Sequence, residues 1–260
     1  MNRKLLLLAC CLGFILVTGA TEAAEAFPGE SARNPAGDSA FAAMDYDRAL
    51  ALYQVDLDQT PGDAELLWRM ARLEICRGDI APREERDGFY KKGEEFARRS
   101  ISADSTLSPA HTWLAAALGS RAMRGSSSQK VELAREIKRE LDVAIELNPR
   151  DDGARSILGS FYRALGNISW IERQLANIFL GGIPSGGFEE SEKELQTAIQ
   201  IAPGVFRHHF ELGLLYVDWE RPEDALRSFQ NALNAGPTMA ADRHRIARAK
   251  KQIEALRESS

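Results

Sequence analysis

A set of fixed spacings in residues 206–237 restricts the fold of this chain more than any other feature. The pattern consists of Leu212, Gly213, Tyr216, Ala225, Phe229, Ala232 and Pro237. Gly213 and Ala225 are small, so two helices can approach each other closely at these positions. Tyr216 and Phe229 fill the space between the helices, and Pro237 ends the second helix because proline cannot continue it. The segment is therefore predicted to form a helix-turn-helix unit.

These residues, together with His209 at the position usually occupied by tryptophan, resemble the tetratricopeptide repeat, a helix-turn-helix unit of about 34 residues. The same register recurs upstream, for example at Leu158, Gly159 and Tyr162. We therefore predict an all-α tetratricopeptide-like solenoid, in which each unit packs on its neighbour. Its domain spans 44–258, with a cap helix at 46–60, repeats at 64–105, 110–149, 152–203 and 206–237, and a capping helix at 240–257.

Most of these repeats exceed the usual length, and the extra residues are expected between the first helix (A) and the second helix (B) of each repeat. Insertions at the same point of successive repeats project from one edge of a solenoid, so a built-up rim is predicted there. The longest insertion, 167–187, carries an apolar stripe of Ile168, Ile171, Leu175, Ile178 and Phe179, with Trp170 beside it. The stripe is expected to pack over the flank of the solenoid or to line an apolar site.

The N-terminal segment has the layout of a secretory signal peptide. Arg3 and Lys4 precede the charge-free apolar run 5–17, and an Ala-Glu-Ala sequence ends at Ala26. We predict a signal peptide at 1–26, a flexible leader at 27–43, and export to the periplasm or the exterior. Lipoprotein anchoring at Cys10 is disfavoured, because cleavage there leaves a very short apolar run. After cleavage only Cys76 remains, so the exported chain cannot form an internal disulfide.

Composition and motifs exclude several classes of function. The chain has 33 basic and 38 acidic residues, a net charge of −5, which argues against nucleic-acid binding. The sequence contains no HExxH, CxxC, GxSxG or Walker-type motif, so no catalytic residue, metal site or cofactor is predicted. His208 and His209 are adjacent, and neighbouring side chains on a helix point about 100° apart. They are interpreted as packing residues.

Three segments are not generic features of the repeat. They are Leu-Trp-Arg-Met-Ala-Arg at 67–72, Ala-Ile-Glu-Leu-Asn-Pro-Arg-Asp-Asp at 144–152, and the insertion 167–187 with its Ser-Trp-x-x-Arg sequence. Together they resemble the regulator of microtubule dynamics family, tetratricopeptide proteins with bacterial relatives. The resemblance covers roughly 46–257 and implies the repeat fold and a non-enzymatic scaffold or binding role. Eukaryotic relatives are associated with mitochondria, endoplasmic reticulum and microtubules, and some with phospholipid handling. Because an exported protein does not meet microtubules, they are not expected as partners.

The repeat register also predicts which A-helix residues face the concave groove. The predicted ligand-binding set is Trp68, Arg72, Leu114, Leu118, Arg121, Arg163, Arg207, Phe210 and Leu214, with Trp170 and Arg173 on the insertion rim. The predicted function is a scaffold that binds a peptide or protein partner in this groove, and arginines beside large apolar groups suit a partner that is anionic or amphiphilic. One alternative is a carrier or sensor of an amphiphilic anionic ligand such as a phospholipid. Another is that these residues complete the packing between repeats, with solvated arginine heads.

Overall fold

The computed structural model describes residues 34–123 and 126–258, and within them it contains twelve helices and no strand. The predicted signal peptide and the start of the predicted leader lie outside the described residues. The helices are α1 (Pro35–Ala42), α2 (Tyr46–Gln59), α3 (Ala64–Ile80), α4 (Arg86–Ala103), α5 (Ser108–Ala122), α6 (Ser127–Leu147), α7 (Asp152–Gly166), α8 (Trp170–Phe179), α9 (Phe188–Ile201), α10 (Phe206–Asp218), α11 (Pro222–Ala235) and α12 (Asp242–Glu258).

The helices pair as A and B partners, which confirms the predicted all-α repeat architecture. The pairs are α3 with α4, α5 with α6, α7 with α9, and α10 with α11. The A helices α3, α5, α7 and α10 also contact one another in series and form the inner layer of the repeats. Helix α2 precedes this array, and α12 packs on α11 at its other end. None of the helices in the described residues has the length and apolarity needed to cross a bilayer.

The small residues of the repeat pattern lie where A and B helices come closest. A Cβ added to Gly213 would lie 2.6 Å from the ring of Phe229. At the equivalent place in the preceding repeat, a Cβ added to Gly159 would lie 2.5 Å from Leu195. Ala225 is fully buried in the same interface as Gly213. These close approaches of A and B helices were predictable from the repeat pattern, because each requires a small residue at a fixed spacing.

The prediction of a flexible leader at 27–43 is wrong for its described part. Pro35–Ala42 forms helix α1, and the side chain of Asn34 accepts a hydrogen bond from the backbone N–H of Gly37 at 2.6 Å. The helix buries Ala40 and packs on α2. The Gly, Pro and Ser content of this segment is typical of a linker, but an Asn cap followed by Pro is a helix-start signal.

The prediction that insertions lie between A and B helices holds for only one repeat. In repeat 152–203 the added residues form α8 and the segment after it. In repeats 64–105 and 110–149 they mainly lengthen the helices themselves, so that α4 has 18 residues and α6 has 21. The α6 extension begins with a capping box at Ser126, which stabilises additional turns instead of a loop.

A non-helical segment at 236–241, here named the closing segment, runs from α11 to α12 and returns to the first repeat. Met239 and Ala240 pack against the N-terminal apolar cluster. The backbone N–H of Ala240 donates a hydrogen bond to the hydroxyl oxygen of Tyr46 at 3.2 Å. The two ends of the repeat array are therefore in contact.

Candidate partner-binding surfaces

The apolar residues predicted to line the groove are buried in the core. Trp68, Leu114, Leu118, Phe210 and Leu214 are each at most 4% exposed. Neighbouring A helices and α12 cover these positions; the guanidinium of Arg248 in α12, for example, lies 5.8 Å from the ring centroid of Phe210. The expectation that these five side chains present an apolar surface is therefore corrected: the register places them on the inner layer, where they complete the packing.

Arg72 connects α1 to α3. Its guanidinium lies 3.2 Å from the carboxylate of Asp38 and donates to the hydroxyl of Tyr53, also at 3.2 Å. It also lies 3.9 Å from the ring centroid of Phe41, within the range of a cation–π contact. Because the Arg72 side chain is only 14% exposed, it is held within the protein and offers little surface to a ligand.

Arg121 and Arg163 keep more of their side chains in contact with solvent. Arg121 forms an ion pair with Glu94 of α4 and is 32% exposed. Arg163 lies 3.0 Å from Asp218 and 3.3 Å from Glu211, both on α10, and is 22% exposed. The carboxylates fix both guanidinium groups in position, so these are the predicted groove residues best placed to meet a partner.

Arg207 of α10 is half-buried, and its positive charge acts on Cys76 of α3. Burial raises the pKa of the Cys76 thiol to about 12, and the positive charges of Arg72 and Arg207 oppose this increase only in part. The Nε groups of Arg72, Arg163 and Arg207 are all buried and have no hydrogen-bond partner among the described residues. The inner layer therefore contains donors that the described side chains leave unsatisfied.

A buried charge cluster at α3 was not predicted from the sequence. Arg69 is fully buried, and its guanidinium lies 3.1 Å from Asp38 and 2.6 Å from Glu65. Its hydrogen bonds join α1 to the first repeat. The sequence feature that could have indicated this cluster is Trp-Arg-x-Ala-Arg, whose two arginines lie about one helical turn apart. In the structure both arginines contact the carboxylate of Asp38.

Two further buried pairs join helices through histidine. His111 Nδ1 lies 2.7 Å from the carboxylate of Glu140, which links α5 to α6. His208 Nε2 lies 2.7 Å from the carboxylate of Asp152, which links α10 to α7. His209 Nε2 lies 2.8 Å from the carbonyl oxygen of Pro203. The imidazole rings of His208 and His209 thus make hydrogen bonds that join α10 to neighbouring segments.

The insertion rim places its two predicted residues in opposite settings. Trp170 is 73% exposed at the start of α8. Arg173 is half-buried and donates hydrogen bonds to the carbonyl oxygens of Leu165 at 3.0 Å and Pro184 at 3.3 Å. Ile168, just before α8, is half-buried, but the stripe residues Ile171, Leu175, Ile178 and Phe179 are exposed. Within the described residues this part of the stripe therefore does not pack on the flank, contrary to the first expectation.

An open depression of about 500 Å³ lies between α6 and the segment that follows α8. Charged side chains of α6 form most of its wall: Arg135, Lys138, Arg139, Asp142 and Glu146. Arg135 donates to the carbonyl oxygens of Leu180 at 2.5 Å and Gly182 at 2.7 Å, and Lys138 pairs with Asp142 at 2.7 Å. These contacts fasten the insertion to α6, and the mixed charge of the wall suits no single type of ion.

Comparison with known proteins identifies relatives over nearly the whole repeat region. Residues 36–257 match the family described as regulator of microtubule dynamics protein 1-3. Regulator of microtubule dynamics protein 1 from Bos taurus is 27% identical over 146 residues, which cover 55% of this chain and 46% of that protein. Regulator of microtubule dynamics protein 2 from Homo sapiens is 25% identical over 173 residues, covering 66% and 42% respectively. The matched region spans less than half of each relative.

Solved structures confirm the repeat fold. A thermophilic tetratricopeptide protein of Thermus thermophilus matches with a TM-score of 0.63 at 20% identity, covering 84% of this chain and 95% of that one. The Cut9-Hcn1 hetero-tetramer of APC/C also matches with a TM-score of 0.63, at 13% identity, covering 90% of this chain and 37% of that one. At such identities the similarity establishes the tetratricopeptide fold alone.

Proposed function

The chain belongs to the regulator of microtubule dynamics protein 1-3 family, and on that premise we propose that it is a non-enzymatic scaffold that binds a peptide or protein segment along its inner, A-helix side. The tetratricopeptide fold supports a protein-binding role. Because the matched region covers less than half of each relative, their full activities are not transferred to this chain. We further propose that the protein is exported, which separates it from microtubules.

The observation that carries the proposal is the position of the closing segment. This short irregular stretch of chain lies against side chains of α2 and α3, as a bound peptide would. Met239 and Ala240 supply the apolar contacts, and the hydroxyl oxygen of Tyr46 accepts a backbone hydrogen bond from Ala240. The inner side beside α2 therefore holds a short bent, non-helical segment through one backbone contact and small apolar contacts.

Arg121 and Arg163 supply the polar part of the proposed site. Arginine offers a planar set of donors that suits carboxylates, and both guanidinium groups are already oriented by acidic neighbours. An acidic residue of a partner can share these donors without a large ordering cost. Arg72 is left out of the proposed contact set, because it connects α1 to α3 and is mostly buried.

The alternative proposal is a carrier or sensor of an amphiphilic anionic ligand such as a phospholipid. Such a ligand needs an apolar chamber next to the arginines. Trp68 and Phe210 would line that chamber, but each is only 2% exposed, so the A helices would have to separate before acyl chains could enter. A peptide on the surface of the inner layer needs no such separation, and we therefore prefer the protein partner.

The experiment compares material that copurifies with the full chain from its own host. Native mass spectrometry is applied to the parent, to Arg121→Gln/Arg163→Gln, and to the control Arg139→Gln/Arg227→Gln. The control removes two ion-paired arginines that are 63% and 68% exposed on B helices. We expect a protein or peptide that accompanies the parent and the control but is lost from the inner-side variant.

Two outcomes would contradict this proposal. Full retention of the partner by Arg121→Gln/Arg163→Gln would exclude these arginines from the site. A phospholipid adduct, present in the parent and the control and lost from that variant, would replace the peptide proposal with the lipid alternative. Circular dichroism of all three proteins checks that helical content is unchanged.

A further inference from the structure

Helix α8 turns its apolar face away from the rest of the protein. Of the nine large apolar side chains exposed in the described residues, five lie on this helix of ten residues. They are Trp170, Ile171, Leu175, Ile178 and Phe179, each between 50% and 74% exposed. Single exposed apolar side chains are ordinary, whereas a contiguous set on one helix marks an interaction surface.

The inward side of α8 is polar or small. Arg173 points inward and donates to the carbonyl oxygens of Leu165 and Pro184. Ala176 is the buried residue of the helix. A helix that belongs to a core buries its apolar stripe and exposes its polar side, and α8 has the reverse arrangement. Its polar contacts therefore hold the apolar stripe outward.

The helix is formed and fastened before any partner arrives. Ser169 and Glu172 make a capping box at its start, with the Ser169 hydroxyl donating to the Glu172 carboxylate at 2.8 Å. At its end, the backbone N–H of Gly182 donates to the carbonyl oxygen of Ala176 at 3.0 Å. Arg135 of α6 also binds the carbonyl oxygens of the following turn. A preformed surface lowers the ordering cost of association.

We propose that this face of α8 binds the same face of a second copy of the chain. Ile171 and Phe179 lie four residues on either side of Leu175. Two antiparallel α8 helices therefore place Leu175 on a two-fold axis and set Ile171 of each copy against Phe179 of the other. Such self-complementarity is what a two-fold interface between identical chains requires.

The exposed area also fits a second copy. Five side chains of this size and exposure present roughly 600–800 Å² per copy. A standard protein–protein interface buries about 800 Å² per partner, so full burial of the patch would approach that size.

The charges of α8 favour a protein face over a bilayer. Helices that lie on membranes carry lysine or arginine beside their apolar stripe. The only basic residue of α8, Arg173, is turned inward, and the exposed charge beside the stripe is that of Glu172. An anionic lipid surface would therefore meet no cation on this helix, whereas the uncharged stripe does not repel its own copy.

Sedimentation velocity of the full chain tests the proposal over a range of about 1–100 µM, the weak end of the affinities found for interfaces near the standard size. The parent should shift from monomer to dimer. Ile178→Glu places a charge in the stripe and should weaken dimerisation at least about tenfold. The matched control Val55→Glu changes an apolar side chain on α2 that is 58% exposed, and it should dimerise like the parent.

Disulfide trapping adds a geometric test. In a chain with Cys10 and Cys11 changed to serine, Leu175→Cys should form a cross-linked dimer under mild oxidation, and Val55→Cys should not. A parent that stays monomeric throughout the range would overturn the proposal, as would a dimer that Ile178→Glu leaves unchanged. Monomeric parent that binds phosphatidylcholine–phosphatidylglycerol vesicles, with loss of binding in Ile178→Glu, would also overturn it and assign the face to a bilayer.

Discussion

The guanidinium of Arg245 in α12 lies 3.3 Å from the carboxylate of Asp79 in α3, although 166 residues separate them in sequence. Arg245 also pairs with Asp242 at 2.8 Å, at the start of its own helix. This ion pair lies next to the closing segment, whose Ala240 contacts Tyr46. The last helix is thereby tied to the first repeat, and the inner side near Cys76 is covered by the chain itself.

Arg245→Ala should increase the exposure of Cys76. The ion pair with Asp79 is partly exposed and is worth about 1 kcal/mol, and the change also takes a partner from the fully buried Asp242. The open population should therefore rise at least about fivefold. The measurement is the rate of Cys76 modification by a thiol reagent in a chain with Cys10 and Cys11 changed to serine. Arg227→Ala, which removes an exposed ion pair on α11, is the control. Equal rates in all three proteins would mean that the Asp79 contact does not hold the segment closed.

Ala225→Trp should unfold the last repeat first. Ala225 is fully buried at the interface of α10 and α11, where overpacking costs about 1–3 kcal/mol. Solenoid stability is approximately a sum over neighbouring units, so faster hydrogen exchange should begin within 206–257. Ala51→Trp, at an exposed position of α2, is the control. Unchanged exchange in 206–257 would contradict the assigned repeat register.

The sequence predicted contacts between residues close in sequence but not the contacts between residues far apart in sequence. The Gly213 and Ala225 contacts are set by residue size at short spacing, so the repeat pattern was sufficient to predict them. The carboxylate partners of Arg72, Arg121 and Arg163 lie 27 to 55 residues away on other helices, as for Arg121 with Glu94 and Arg163 with Asp218. Their pairing depends on how repeats stack, which the register alone does not specify.

The outward orientation of α8 could not be predicted for a different reason. Periodicity identifies an apolar stripe but does not say which side of the helix meets the protein. Here the choice is made by Arg173, whose guanidinium finds backbone carbonyl oxygens beneath the helix. A sequence pattern that treats arginine as a surface residue assigns the helix the opposite orientation.

The His111–Glu140 pair should make stability depend on pH. Burial lowers the pKa of His111, but the hydrogen bonds to Glu140 and to the carbonyl of Ser105 outweigh it, so the pKa is raised overall. Because the pKa of His111 is higher in the folded state than in the unfolded state, protonation of His111 stabilises the fold. This stabilisation is fully present below the unfolded pKa of about 6.5 and is lost as pH rises through the folded pKa.

We therefore expect the free energy of unfolding to fall more between about pH 6 and pH 8.5 in the parent than in His111→Gln. Subtracting the stability-versus-pH curve of His111→Gln from that of the parent removes the contributions of all other titrating groups that both proteins share. Urea unfolding at each pH measures the difference. A difference that stays constant over this range, or that grows as pH rises, would exclude a protonated His111 as the stabilising form.

The exported protein should begin at Phe27. Ala24 and Ala26 provide small residues at both positions that a signal peptidase requires, and they follow a basic start and an apolar run. N-terminal sequencing of protein recovered outside the cytoplasm checks this. Recovery of an intact Met1, or of a chain lipidated at Cys10, would contradict the predicted processing.

Asp38→Asn should detach α1 from the first repeat, because Asp38 holds both Arg69 and Arg72. Arg69 is fully buried, and removal of one partner of a buried ion pair costs about 3–5 kcal/mol. Arg69 keeps Glu65, and Asp38 is itself 29% exposed, so we expect a smaller loss of about 1–3 kcal/mol.

Asparagine preserves the shape of the Asp38 side chain, so the loss of stability in Asp38→Asn reports the loss of its charge. Hydrogen exchange should accelerate first in 35–42, because Asp38 supplies the ion pairs that join α1 to the first repeat. Asp58→Asn, at an exposed position of α2, is the matched control and should leave both stability and exchange unchanged. If Asp38→Asn behaves like that control, α1 is held by its packing on α2 and by the hydrogen bond from Asn34 to Asp56.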